Sequence, residues 1–225
     1  MACRILHYLV FPPHNDIDPT EPYIELKHRN ALTQLFAADG LTALVSVLSK
    51  IAQFYEQPLV HRYSLTGRRR WSLISLLVPC VKLSRAILER LVKCMATEFK
   101  NLTPVVPLLG VYCLVEAMPE CQSTRDLSNE IVNTLLVFTQ AVDSDGSGNV
   151  AKSLWTQMLG EVLKMVSSHP CNFSPGLKLL ARLLPPILTL KETTPSQDKL
   201  RVIGLRKLWS AHLQAQASSL TETLR

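Results

Sequence analysis

LTALVSVLSKIAQFYEQP (41–58) decides the class of this fold. Leu41, Leu44, Val45, Leu48, Ile51 and Tyr55 recur at the i, i+3, i+4, i+7 spacing that gathers apolar side chains on one face of an α-helix. Pro58 stops the pattern. Gly40, just before it, is a natural left-handed residue for the end of an earlier helix. That earlier helix starts at Thr20 or Glu21, with Pro22 in its first turn, where a missing N–H costs nothing. It runs to about Asp39. Two helices joined by a glycine with almost no loop make a hairpin or corner, the unit of helical repeats.

The same periodicity extends in both directions. Residues 1–11 read as a short helix stopped by Pro12 and Pro13. A long helical pattern fills 69–99, where Pro79 is expected to kink or divide it. Another apolar helix covers 104–118. After Ser123, whose STRD imitates a capping box with Asp in place of Glu, a helix with Leu127, Ile131, Val132, Leu135, Leu136 and Phe138 runs to about Val142. Leu154, Met158, Leu159, Val162, Met165 and Val166 mark a helix from about Val150 to Ser168, ending before Pro170. A shorter one lies between Pro175 and Leu184, and a last one spans about Gln197 to Ala217. Loops fall near 12–20, 58–68, 143–149 and 185–196. Helix pairs about 40 residues long, with no recurring consensus, predict an all-α fold: an armadillo/HEAT-like helical repeat array with degenerate repeats, with a compact irregular helical bundle as the alternative. The whole of 1–225 reads as a single helical-repeat region, part of a longer solenoid.

Composition adds to this. The chain is 47% hydrophobic and 19% charged, with mean hydropathy +0.15. A helical domain alone in water needs polar outer faces, so this surplus predicts apolar faces covered by something outside the chain. The same figures exclude disorder over most of the length. A net charge of +6 over 225 residues is too thin for a nucleic-acid binder by bulk charge, and it suits acidic partners. Cysteines 3, 80, 94, 113, 121 and 171 form no C-x-x-C pair and are too sparse for a disulfide scaffold, so reduced thiols are expected. MACRILHYLVFPP has no small-residue cleavage site. The apolar stretches Leu102–Met118 and Leu73–Val81 fall short of the roughly 20 residues that span a bilayer. The reading is soluble and intracellular, with no membrane partner.

Little in the sequence suggests chemistry. In DSDGSGNV, Asp143, Asp145, Ser147 and Gly148 match positions 1, 3, 5 and 6 of a calcium loop, but Leu154 stands where the closing bidentate Glu belongs. The histidines show no metal-ligand spacing, and no nucleophile elbow, phosphate loop or dinucleotide fingerprint occurs. No enzyme activity, cofactor or metal is expected. The densest charged cluster is Arg68, Arg69, Arg70 and Trp71. Three guanidiniums beside an indole suit phosphate and a stacked base, or a partner protein. The bland alternative is a solvated helix start with Trp71 packed inward. A second basic set, Lys199, Arg201, Arg206 and Lys207, reads as a solvated face.

YIELKHRNALTQLFAADGLTALVSVLSKI (23–51), SLWTQMLGEVLKMVSSHPCNFSPGLKLLARLLPP (153–186) and LWSAHLQAQASSL (208–220) resemble the helical central part of Virilizer proteins. The resemblance implies a fragment or short form of a large non-catalytic scaffold in the nuclear complex that installs N6-methyladenosine in messenger RNA, with roles in splicing and, in flies, sex determination. It implies as partners a coiled-coil adaptor of the Wilms-tumour-associating family and other subunits of the methylation complex, with RNA contacted weakly or indirectly. It brings no catalytic residues. A competing reading is a direct RNA-binding helical module that uses Arg68 to Trp71. Two outcomes follow from the sequence alone. Far-ultraviolet dichroism should be dominated by helix, and thermal melts with calcium and with chelator should superimpose, because a ligand that binds only the folded state would raise its stability.

Overall fold

The computed structural model describes residues 2–11, 22–56, 67–94, 102–139 and 154–183. Over these the chain is helical, with no strand: α1 Ala2–Val10, α2 Pro22–Ala37, α3 Gly40–Glu56, α4 Gly67–Cys94, α5 Val105–Glu116, α6 Gln122–Leu136 with a 3-10 turn at Val137–Thr139, α7 Leu154–Ser168 and α8 Pro170–Leu183. The calcium-like loop, the 185–196 linker and the last expected helix lie outside the described residues, as do the loop near 12–20 and most of that at 58–68.

α5 lies at the centre. Val105, Pro107, Leu108, Leu109, Val111, Tyr112, Cys113, Leu114 and Val115 are all buried, so the helix has almost no polar face. A helix that is apolar all round must be enclosed. α3, α6, α7 and α8 pack around it. Gly110 lets α3 come close, since a Cβ there would stand 2.7 Å from the Ala52 Cβ. α4 packs on α6, α3 and α1, and α1 and α2 form the outer edge.

The α2–α3 corner is as tight as the sequence implies, but its parts are reassigned. The left-handed residue is Asp39 (φ 59), not Gly40. Asp39 starts α3: its carbonyl accepts from the Ala43 N–H, and its carboxylate oxygen takes the Thr42 hydroxyl at 2.7 Å. Gly40 is needed for space, because a Cβ would meet the Leu35 carbonyl oxygen at 2.5 Å. The two helices are bent by 70° at this joint.

Proline positions also resolve differently. Pro79 divides nothing: α4 continues for 28 residues with Pro79 buried inside it, and it starts at Gly67, two residues before the expected 69. At that length α4 is long and apolar enough to cross a membrane, which the short run Leu73–Val81 did not suggest. Much of it is instead covered by protein: Leu77, Cys80, Val81, Leu83, Ile87 and Leu88 are buried. Pro170, taken as a stop, occupies the first turn of α8, where the lost N–H has no helical partner anyway. Pro175, expected to start α8, lies inside it. Only His169 separates α7 from α8, and its ring Nδ1 accepts the Cys171 N–H at 3.3 Å. The capping residue of α6 is Cys121 rather than Ser123: the Cys121 N–H donates to Thr124 Oγ1 at 2.9 Å. α6 gives way to the 3-10 turn after Leu136, and its expected end at Val142 lies outside the described residues.

A polar cluster ties α5, α6 and α8 together. Glu116 accepts the Ser128 hydroxyl at 3.1 Å and Lys178 Nζ at 3.1 Å. Arg182 donates to Ser128 Oγ at 3.0 Å and to Asn129 Oδ1 at 2.6 Å. On the other side of α6, Glu130 pairs with Arg85 of α4 at 3.1 Å. Two glycine substitutions should separate with opposite sign in denaturant titrations. Gly110→Ala should cost about 1–3 kcal/mol through overpacking against Ala52. Gly160→Ala in α7, where a Cβ meets nothing within 4 Å, should stabilise by about 0.5–1 kcal/mol.

Candidate partner-binding groove

A groove of about 730 Å³ runs between α1, α4 and α6. α1 contributes Arg4, His7 and Tyr8. α4 supplies a floor of Ile74, Val78 and Pro79 with Trp71 and Lys82 at its edges, and α6 contributes Asp126, Asn129 and Glu130. The wall from α1 exists because that short helix carries apolar residues on its outer side as well as its inner one. Cys3, Leu6 and Val10 turn inward, and Ile5, Tyr8 and Leu9 are left outside. Tyr8 is 69% exposed and Trp71 is 56% exposed. Two large aromatics held in water at the mouth of one groove are costly unless something covers them.

The groove has charge of both signs. Arg4 and Lys82 make no ion pair among the described residues, whereas Glu130 is held by Arg85 and Asp126 accepts Gln122 Nε2 at 2.8 Å. His7 lies under Tyr8 and Phe11, with ring centroids 6.1 Å and 4.8 Å away. Burial, and then the Lys82 ammonium, hold its pKa below the ordinary value, so it is neutral at pH 7. α1 is anchored at its far end by His28 of α2, whose Nδ1 hydrogen-bonds the Leu9 carbonyl at 2.7 Å. That carbonyl is one of the unpaired acceptors at a helix C-terminus.

The cluster expected at 68–71 is split. Arg68, Arg69 and Arg70 fall in the first turn of α4, with Arg68 and Arg69 exposed. Arg70 is half-buried, and its Nε is buried without a hydrogen-bond partner. Its charge lies near Cys121, whose thiol is held below its ordinary pKa by hydrogen bonds with Thr124 first and by Arg70 to a smaller degree. Of the four residues only Trp71 lines the groove, and it faces outward rather than into the core. Arg4, Tyr8, Lys82 and Asp126 were missed from the sequence, since their juxtaposition depends on how α1 and α6 pack on α4. One signal was present: Tyr8 and Leu9 spoil the polar face a surface helix should have. Among the described residues no group of three or more His, Cys, Asp or Glu side chains could hold a metal ion.

No protein-family model matches the chain. It is 36% identical over 231 residues, 99% of its own length, to Protein virilizer of Drosophila melanogaster, and equally so to that of Drosophila pseudoobscura pseudoobscura. It is 31% identical over 235 residues, all of its length, to the human Protein virilizer homolog. The chain belongs to the Virilizer family. It spans 12% of the length of the fly relatives and 13% of the human one.

In this Virilizer-family chain, His7 should make the α1 wall sensitive to acid. Its folded pKa is lowered, so as pH falls below about 6.5 the unfolded chain takes up the proton first and folded stability declines. Between pH 7.5 and pH 5.5 the wild type should therefore lose more stability in urea titrations than His7→Gln. Equal losses would mean that His7 is not strained by its place in the groove.

Proposed function

We propose that this chain is a non-catalytic helical scaffold segment of the nuclear machinery that installs N6-methyladenosine in messenger RNA, supporting methylation and alternative splicing. In this reading α2–α3 and α7–α8 are degenerate armadillo/HEAT-like repeats, each a helix pair with a joint of one or two residues. Internal repeats of such arrays bury apolar surface against their neighbours, which accounts for the exposed Leu26, Phe54, Val106, Phe173 and Leu177. The observation that carries the proposal is the groove with Tyr8 and Trp71 at its mouth. An aromatic pair over an apolar floor, flanked by separate cations and carboxylates, suits an amphipathic helix of a protein partner. A coiled-coil adaptor of the Wilms-tumour-associating family is the partner we assign to it, with other methylation-complex subunits assembled around the pair.

Size-exclusion chromatography tests this. The chain alone should self-associate through its exposed apolar faces, and co-expression with the adaptor should give a monodisperse complex. Tyr8→Ala combined with Trp71→Ala should weaken adaptor binding at least tenfold while leaving helix content unchanged. A stable monomer indifferent to the adaptor would overturn the proposal. The second reading, direct RNA binding, draws on exposed Arg68 and Arg69 in the first turn of α4. If RNA is the ligand, its affinity should fall steeply with salt, and Arg68→Ala with Arg69→Ala should flatten that slope.

A further inference from the structure

Cys3 of α1 and Cys80 of α4 are 77 positions apart, yet their sulfur atoms stand 3.6 Å from each other. That is the contact distance of two unbonded sulfurs. A disulfide needs them about 1.5 Å closer, a shift within reach of side-chain rotation and a small movement of one helix. α1 is able to make that movement. It is nine residues long, lies at the edge of the molecule, and Val10 is its one buried residue. α4, by contrast, is held firmly, and Cys80 within it is fully buried.

The two thiols differ in a way that sets an order of events. Cys3 is half-buried and reachable from solvent, whereas Cys80 lies behind it. Burial first, and then the neighbouring Cys3, push the Cys80 thiol up to about 12, so it stays protonated and inert towards reagents in solution. The other described cysteines have different surroundings. Cys113 faces Met165 Sδ at 3.3 Å, and Cys121 is engaged by Thr124. Neither sulfur lines the groove; it is the partial exposure of Cys3 itself that admits a small polar oxidant.

We propose that Cys3 and Cys80 are a peroxide-responsive thiol pair that closes into an intramolecular disulfide and fastens α1 to α4. In the first step the Cys3 thiolate attacks one oxygen of hydrogen peroxide. The O–O bond breaks, an S–O bond forms, and hydroxide leaves to take up a proton as water. In the second step Cys80 sulfur, giving up its proton, attacks the Cys3 sulfenic sulfur. The S–O bond breaks, the S–S bond forms, and a second water departs. Two thiols are oxidised by two electrons in all, and one peroxide is reduced to two waters. Holding Cys80 against Cys3 makes the second step intramolecular, which offsets its low nucleophilicity. Because α1 carries Arg4, His7 and Tyr8, the bond fixes one wall of the groove in place.

The test uses the full chain treated with hydrogen peroxide, quenched with N-ethylmaleimide, digested without reductant and analysed by mass spectrometry. The expected product is one linked peptide pair containing Cys3 and Cys80, lighter by two hydrogens and reversed by dithiothreitol. The oxidised chain should melt several degrees higher, because the bond closes a long loop in the unfolded state. Cys3→Ser and Cys80→Ala should each abolish both the link and the shift, and Cys171→Ser should abolish neither. Dichroism of each variant shows that the fold is kept, and half-buried Cys3 is a site that tolerates serine even if Cys80→Ala does not fold. Cys3 carried on to sulfinic acid while Cys80 remains open to alkylation after denaturation would overturn the proposal. So would a peroxide product linked only between molecules.

Discussion

A helix without a polar side controls this structure. From Val105 to Val115, α5 has no polar face to offer water, and all its large side chains except Val106 are buried by the neighbours that close round it. Each fully buried aliphatic or aromatic residue there adds roughly 1.5–3 kcal/mol when taken out of water. That demand sets the positions of α3, α6, α7 and α8, and the missing side chain of Gly110 sets how near α3 can lie. Polar groups follow from the same enclosure. Tyr112 is drawn so far inside that burial, then Glu116, raise its pKa, with Arg182 and Ser128 beside its hydroxyl acting the other way. Glu116 ends α5 where Ser128 and Lys178 reach it and Arg182 in turn reaches Ser128, so the tip of the apolar helix becomes the point where three helices are bound by hydrogen bonds.

The groove has a different origin. It lies on the far side of α4, where α1 packs on a helix already committed to α3 and α6. A nine-residue helix cannot supply both a core face and a full polar face when most of its residues are apolar. The result is an inner stripe that holds it down and an outer stripe left in water. Trp71 adds to that outer surface because the first turn of α4 precedes the stretch that its neighbours cover. The likeness to Virilizer proteins runs across the whole chain, so the groove and the enclosed helix belong to one homologous segment.

Helix class and most helix positions were legible because period and length are local properties. The 41–58 pattern survived almost unchanged as α3, and so did the short first helix. What misled was punctuation. Gly40 and Asp39 share a corner, and sequence alone could not say that the glycine is there for the Leu35 carbonyl while the aspartate takes the unusual backbone angle. Proline has two opposite meanings at a helix, a start at its first turn or a break within. Pro170 has both meanings, since the helix before it ends at Ser168 as expected and the next begins on it, whereas Pro175, expected as a start, lies inside α8, and Pro79 was tolerated inside a helix that packing supports on several sides. The site was legible only in part. Arg68 to Trp71 is a contiguous signal, but the groove draws on residues from three helices, and no local pattern brings Tyr8 to Trp71.

The joints of this fold also bear on how such a chain can change length over time. One residue, His169, turns α7 into α8, and two, Ala38 and Asp39, turn α2 into α3. At His169 the ring that separates the helices also caps the second one, and at Asp39 the carboxylate holds the Thr42 side chain in the first turn of the next. An extra residue at either place would rotate the following helix by about 100° and turn its apolar stripe out of the core. Alignments of 231 and 235 positions against 225 residues nevertheless show that relatives differ in length. Such differences are compatible with the fold where a connection has slack, and these two corners have none: packing on both sides fixes the register of the helix that follows.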